Sequence, residues 1–101
     1  MPRSSRTQSS QSKHNQKVAE LAKKYENKGY EVQAEIPGYK TPRGIGGFRP
    51  DIIVKKGQYV TIIEIETPDS AGKVRDMQQQ AAFQRAARWN RNTHYRREVT
   101  D

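Results

Sequence analysis

The sequence predicts an α/β fold in which a mixed four-stranded sheet is flanked by helices. Two stretches show the apolar spacing of helices, and four shorter stretches show the alternating or continuous apolar pattern of strands. Their order along the chain is helix, strand, strand, strand, helix, strand. A chain of 101 residues is long enough for one modest core. We therefore expect a single domain over residues 12–101 and a disordered basic tail over residues 1–11, which lack large apolar side chains.

The first helix is expected over residues 12–28, with Gly29 as its stop signal. The apolar side chains of one helix face are Val18, Leu21, Ala22 and Tyr25. His14 lies at the N-terminal end of that face, where we expect it to pack. Residues 30–36 alternate apolar and polar side chains, which predicts a half-buried strand. We interpret the glycine-rich residues 39–47 as a connecting loop rather than as a mobile flap over a site.

The second and third strands, residues 48–54 and 59–66, are predicted to form a hairpin. Gly57-Gln58 between them suits a two-residue turn with glycine first. Antiparallel pairing from that turn sets three pairs of residues opposite each other: Asp51 with Glu64, Ile53 with Ile62, and Arg49 with Glu66. Both runs are almost continuously apolar, which indicates central strands that are covered on both faces of the sheet.

A second helix is expected over residues 71–89, with Asp69 or Ser70 as its N-cap. The sequence does not decide which face of this helix is buried. One apolar stripe consists of Val74, Met77 and Ala81, and the other of Phe83, Ala86 and Ala87. Residues 93–100 contain β-favouring side chains and are predicted as the last strand.

Charge is distributed unevenly along the chain. The net charge is +8, which for so small a protein indicates a polyanionic partner. Acidic side chains concentrate near the two central strands, whereas the second helix and the C-terminal segment are basic. An acidic centre in a basic surround is typical of a metal-dependent enzyme that acts on nucleic acid, and a generic basic surface is the alternative. The candidate nucleic-acid contacts are Lys73, Arg75, Arg85, Arg88, Arg91 and Arg96.

Several classes of protein are excluded by composition. The chain has no cysteine, which rules out disulfides and thiolate zinc sites. No apolar run approaches the roughly 20 residues that a membrane span needs. The polar N-terminus lacks the apolar core of a secretory signal. We therefore expect a soluble cytoplasmic protein without a membrane partner.

The predicted hairpin brings two carboxylates to one place. Directly opposed residues of antiparallel strands have Cβ atoms about 5 Å apart, so Asp51 and Glu64 repel each other unless a cation lies between them. A hard cation such as Mg²⁺ commonly uses one or two carboxylates together with water, and the carbonyl of Ile65 could add a further oxygen. Glu66 lies on the same face as Glu64 and could assist through a water molecule or a second ion. The alternative is a cross-strand ion pair between Glu66 and Arg49, with Asp51 and Glu64 as solvated strand ends.

Short motifs on these elements resemble those of the PD-(D/E)XK nuclease superfamily, in the branch of Holliday-junction resolvases and restriction-enzyme cores. Pro50-Asp51 opens the second strand, and Glu64-Ile65-Glu66 ends the third, with Glu66 where lysine is usual. Gln79 and Phe83 are similar to the glutamine-x-x-x-aromatic element on the following helix. The resemblance covers about residues 12–100. It implies a restriction-endonuclease-like αβββαβ core and a Mg²⁺- or Mn²⁺-dependent endonuclease that hydrolyses phosphodiester bonds in DNA.

The resemblance also implies roles for individual residues. Asp51 and Glu64 correspond to the metal ligands, Glu66 to the third catalytic position, and Arg49 is expected to supply the positive charge of the missing lysine. Further auxiliary candidates are Glu20 or Glu35 as an extra acid and Gln79 as a phosphate contact. The alternative is a catalytically degenerate module that binds nucleic acid or a protein without cleavage. Because so small a domain has little surface for reading a substrate, we expect a homodimer or a partner subunit.

Overall fold

The computed structural model describes residues 8–69 and 73–100 and has one helix on each face of a four-stranded sheet. The elements are α1 (Gln8–Asn27), β1 (Glu31–Ala34), β2 (Ile52–Lys56), β3 (Tyr59–Glu66), α2 (Val74–Trp89) and β4 (Thr93–Val99). The strand order is β1-β2-β3-β4, with antiparallel pairing throughout β1, β2 and β3 and parallel pairing of β4 with β3. The predicted element order and mixed sheet are confirmed.

The predicted ends of both helices differ from those in the structure. α1 begins at Gln8, so residues 8–11, which we assigned to a disordered tail, are helical. Gln11 Nε2 donates to Asn15 Oδ1 at 3.0 Å, one helical turn along, which supports this polar first turn. α2 begins at Val74, and Lys73 at its N-cap position makes no side-chain cap hydrogen bond. The rest of the expected tail, residues 1–7, and the expected helix start over residues 70–72 lie outside the described residues.

The β2–β3 hairpin has the predicted turn and register. Gly57 has φ +60°, a left-handed conformation that glycine adopts without steric cost. Ile53 pairs with Ile62 as expected, and the ladder ends at the pair of Ile52 and Ile63. β2 therefore begins four residues later than predicted. The expected pairing of Arg49 with Glu66 is wrong, because the chain has left the ladder before it reaches Arg49.

Apolar side chains cover both faces of the central strands, as their continuous apolar runs predicted. The buried side chains on the α1 face are Val18, Leu21, Ala22, Ala34, Ile52, Val54, Ile63 and Ile65. Those on the α2 face are Ile45, Ile53, Ile62, Ala82 and Phe83. The open question about α2 is thereby answered in favour of the Phe83 stripe. Val74 and Met77 of the other stripe are 71% and 59% exposed.

The glycine-rich loop packs onto the sheet beside α2. Ile45 is buried in the α2-side core, and its backbone N–H donates to the carbonyl of Phe48 at 2.7 Å. A Cβ atom on Gly46 would lie 2.9 Å from the Cβ of Ala82, so only glycine allows this close approach. The interpretation as a connecting loop is consistent with these contacts. Neither α1 nor α2, the two helices of the described residues, has a stretch long and apolar enough to cross a bilayer.

Candidate active site

Two carboxylates lie side by side where β2 begins and β3 ends. The backbone N–H of Asp51 donates to Glu64 Oε1 at 3.2 Å, and the backbone N–H of Ile65 donates to Asp51 Oδ2 at 2.9 Å. Glu64 is only 4% exposed because β2, β4 and α2 surround it. The structure thus brings together Asp51 and Glu64, the two residues that the hairpin register predicted to meet.

A third carboxyl group joins this pair. Glu66, two residues beyond Glu64 on the same face of β3, is 3% exposed, and its side chain hydrogen-bonds with that of Glu64. Burial raises the pKa of Glu64 from 4.5 to about 10, and the negative charges of Asp51 and Glu66 act in the same direction. Glu64 therefore holds a proton at neutral pH when no cation is bound, and this proton can form the hydrogen bond with Glu66.

Each helix contributes one polar side chain to the carboxylates. Gln79 Nε2 of α2 donates to Glu64 Oε2 at 3.4 Å. From α1, His14 Nε2 lies 3.2 Å from Asp51 Oδ1, and its Nδ1 lies 3.1 Å from Asn15 Oδ1. His14 is buried, and we had expected it only to pack. A polar side chain at the end of an otherwise apolar helix stripe is the sequence signal that could have identified it.

An arginine of the last strand lies next to the same carboxylates. Arg97 is the β4 partner of Glu64 in the parallel ladder, so both side chains lie on the α2 face of the sheet. Arg97 Nη2 lies 2.9 Å from Asp76 Oδ2, and Gln80 Nε2 donates to the same oxygen at 3.2 Å. Asp76 itself is buried. Arg97 and Asp76 were not predicted as site residues because neither lies in the hairpin.

Tyr95, two residues before Arg97, shares this environment. Burial raises the pKa of Tyr95 above its usual range, and the negative charge of Glu64 acts in the same direction. The positive charge of Arg97 opposes both effects. The end of β3 is therefore a buried cluster of carboxyl groups with one guanidinium beside it.

A family model for AHJR-like proteins, described as REase_AHJR-like, matches residues 5–99. The chain belongs to this restriction-endonuclease-like family. The match spans all six elements of the fold and both carboxylate-bearing strands. It confirms the resemblance to the PD-(D/E)XK superfamily and indicates a nuclease. No curated protein and no solved structure matched the chain significantly.

The auxiliary residues that the resemblance implied do not all contact the carboxylates of Asp51 and Glu64. Arg49 Nη1 lies 3.5 Å from Glu35 Oε2, and both side chains are about half exposed. Arg49 therefore lies at the β1 edge rather than opposite Glu66, and the arginine paired with Glu64 in the sheet is Arg97. Glu35 is tied to the site through its backbone, whose N–H donates to the carbonyl of Asp51 at 3.1 Å. Glu20 is exposed and lines a groove between α1 and β4.

Most of the predicted nucleic-acid contacts lie on the α2 side. The exposed cations of α2 and its flanking turns are Lys73, Arg75, Arg85, Arg88 and Arg91. The guanidinium of Arg75 lies over the ring of Phe48, 5.1 Å from its centroid. Arg96 points to the other face, where it donates to Tyr25 Oη at 2.8 Å and lies 2.7 Å from Glu98 Oε2. The role of these cations in nucleic-acid binding stays a prediction.

The donor set fits a cation bound by few protein ligands. Among residues 8–69 and 73–100, no group of three or more histidine and acidic side chains has the arrangement of a metal cage. Mg²⁺ does not need such a cage, since it typically binds through one or two carboxylates and keeps several waters. Asp51 and Glu64 supply two carboxylates; burial is the main cause of the raised pKa of Glu64, and the negative charges of Asp51 and Glu66 add to it. A divalent cation at this point would neutralise that charge.

Proposed function

We propose that this chain is a nuclease that hydrolyses phosphodiester bonds in DNA and depends on Mg²⁺ or Mn²⁺. The observation that carries the proposal is the pair formed by the partly buried Asp51 and the buried Glu64, in which the backbone N–H of Asp51 donates to Glu64 Oε1 at 3.2 Å. Membership in a restriction-endonuclease-like family supports the nuclease assignment. Asp51 and Glu64 would hold the cation, with the carbonyl of Ile65 as a further oxygen.

Each group at the site has a task in this reaction. When bound, the cation supplies positive charge for the scissile phosphate and lowers the pKa of a bound water. Asp51 is oriented by the N–H of Ile65 and by His14, so its carboxylate is held in one position. Gln79 orients Glu64 through a hydrogen bond of 3.4 Å. Glu66, which does not ligate the cation in this scheme, accepts the proton of the attacking water.

Arg97 takes the place of the missing lysine charge in the proposal. Its ion pair with Asp76 holds the guanidinium on the α2 face of the sheet, and Arg97 is the β4 residue paired with Glu64. A fixed cation near the reacting phosphate stabilises charge that develops in the transition state. Arg49, the earlier candidate for this role, is instead paired with Glu35.

A second candidate function is binding of nucleic acid without cleavage. It is favoured by Glu66 in the lysine position and by the hydrogen bond between Glu64 and Glu66, which keeps a proton on the pair. Under this alternative the carboxyl groups are a structural relic, and cleavage is absent at every cation concentration.

Cleavage of plasmid DNA separates the two functions. We expect the purified chain to nick or linearise DNA in Mg²⁺ or Mn²⁺, and we expect EDTA to stop the reaction. Asp51→Asn should abolish cleavage, whereas Glu26→Gln, which removes an exposed carboxylate far along α1, should leave it unchanged. Cleavage that persists in Asp51→Asn, or no cleavage by the wild-type chain in either cation, contradicts the proposal.

Self-association also stays a proposal. Sedimentation equilibrium of the chain with and without DNA measures it directly, and a mass of one chain under both conditions would count against a homodimer. Cleavage and self-association are independent, because the carboxylates, Gln79, His14 and Arg97 all come from one chain.

A further inference from the structure

A cationic cavity lies on the sheet at the edge opposite β4, away from the carboxylates. Its volume is about 260 Å³, and it is formed by β1, β2 and β3 with the start of the glycine-rich loop. Three cations surround it, namely Lys40, Arg43 and Lys55. Side chains that contribute to its inner wall are Gln33, Ile53 and Val60.

The walls of the cavity are anchored to the sheet. The backbone N–H of Ala34 donates to the carbonyl of Lys40 at 2.9 Å, and Gln33 and Lys40 form a β-bridge. Lys55 is held in the β2–β3 ladder opposite Val60. Lys40 and Lys55 thus reach the cavity from fixed backbone positions, and the cavity is a built feature of the fold.

The charge of the cavity favours an anion. Among the described residues, Lys40, Arg43 and Lys55 form no ion pair, and Glu31 is the one acidic side chain among the lining residues. Their positive charge is therefore available to a ligand. Gln33 Oε1 is buried and has no hydrogen-bond partner in the described part of the chain, so the wall also offers an unsatisfied polar group.

The size and the lining of the cavity fit the sugar and phosphate of one nucleotide. Its volume lies somewhat below the roughly 300 Å³ at which pockets for small molecules usually begin. Ile53 and Val60 give it an apolar wall against which a sugar can pack, while the cations at its rim match a phosphate. A larger free cofactor would not be enclosed.

The cavity and the carboxylates share one face of the sheet. Ile53, which lines the cavity, is two residues from Asp51 along the same segment of chain, or about 7 Å at the usual strand rise. Lys55 is four residues away, or about 13 Å. At a rise of about 3.4 Å per nucleotide in one strand, these distances correspond to two to four nucleotides.

We propose that the cavity lined by Lys40, Arg43 and Lys55 binds a phosphodiester of the nucleic-acid strand, a few nucleotides from the bond at Asp51 and Glu64. The inference rests on the proposed nuclease function for its ligand. It assigns a task to three cations on β2 and the glycine-rich loop, none of which belongs to α2. The cavity would set the direction and position of the strand that reaches the carboxylates.

Binding of a fluorescent DNA oligonucleotide in EDTA tests the cavity without cleavage. The variant Lys40→Gln/Lys55→Gln removes two cavity charges, and Lys23→Gln/Lys24→Gln removes two exposed charges of α1 as a matched control. We expect the cavity variant to lose roughly tenfold in affinity and to reduce the salt slope by about 1, as one phosphate contact would. The control should change affinity less than about twofold, since it removes only general charge.

Two outcomes would overturn the cavity site: an equal loss in both double variants, or no loss in the cavity variant. All four side chains are exposed, so folding is expected to survive, and thermal unfolding of each variant verifies this. Failure of the nuclease proposal would give a different result: the chain would not cleave DNA, but its DNA binding would still depend on the cavity cations. Glu26→Gln in EDTA should bind the oligonucleotide as the wild type does.

Discussion

Arg97 lies directly beside Glu64 in the parallel ladder of β3 and β4. The pairing places the two residues side by side in the sheet, Glu64 is 4% exposed, and Arg97 Nη2 lies 2.9 Å from Asp76 Oδ2 of α2. The consecutive elements β3, α2 and β4 therefore meet at one buried cluster of charge. This arrangement makes the cluster important both for stability and for the proposed chemistry.

Removal of the Arg97 charge should destabilise the fold. Arg97→Gln leaves the buried Asp76 without its cation, and breaking a buried pair in this way costs about 3–5 kcal/mol. The neighbouring Arg96→Gln removes a guanidinium that is about half exposed, and we expect a cost of about 1 kcal/mol or less. Urea denaturation of both variants measures the difference. Equal losses of stability for Arg96→Gln and Arg97→Gln would mean that the ion pair of Arg97 with Asp76 contributes no more to stability than an exposed arginine does.

The raised pKa of Glu64 predicts a pH-dependent stability. Because the folded pKa is about 10 and the ordinary value is 4.5, the native state binds more protons than the unfolded state between these values. The free energy of unfolding therefore falls as pH rises through that window. Glu64→Gln removes this dependence and should stabilise the chain in EDTA at pH 8 by about 1–4 kcal/mol.

The comparison of Glu64→Gln with wild type should be made across pH by thermal unfolding. The gain in stability should shrink as pH falls and disappear below the unfolded pKa of 4.5. Glu26→Gln, at an exposed site, serves as the control and should show no gain. If Glu64→Gln is less stable than wild type at every pH, burial of the Glu64 carboxyl group does not destabilise the fold.

Close packing of the loop against α2 predicts a specific cost for Gly46→Ala. The added methyl group would meet Ala82 Cβ at 2.9 Å, and the backbone has φ +61°. Gly38→Ala shares the positive φ, at +93°, but meets no atom within 4 Å. We expect about 1 kcal/mol for the backbone strain alone at Gly38 and about 1–3 kcal/mol more at Gly46.

A double-mutant cycle separates the contact from the strain at Gly46. Ala82→Gly removes the methyl group that the new side chain would strike, so the two substitutions should couple favourably by about 1 kcal/mol. Additive effects in urea denaturation would show that the loop does not rest on α2 at this point.

The hairpin was predictable because its information is local. Gly57 sets the turn, the turn sets the register of Ile53 with Ile62, and the same count places Asp51 near Glu64. The continuous apolar runs of β2 and β3 likewise indicated coverage on both faces, which α1 and α2 supply.

Features that depend on distant elements were not predictable. The position of Arg97 beside Glu64 follows from the parallel register of β4, and a helical crossover does not encode that register locally. Arg49 was misplaced because β2 begins to pair only at Ile52, and the Arg49 side chain instead lies near Glu35, the residue that follows β1. His14 contacts Asp51 because α1 packs across the start of β2; its place at the end of the apolar stripe indicates burial but does not indicate Asp51 as its partner.

The most direct test of the central claim is calorimetric titration of the chain with Mn²⁺ at pH 7.5 in two buffers of different ionisation enthalpy. The account predicts one cation per chain and the release of nearly one proton, which is the proton that Glu64 holds when no cation is bound. Both should be lost in Asp51→Asn/Glu64→Gln and kept in Glu26→Gln. Mn²⁺ binding that is unchanged in the double variant, or no binding by the wild-type chain, would contradict a cation site at Asp51 and Glu64.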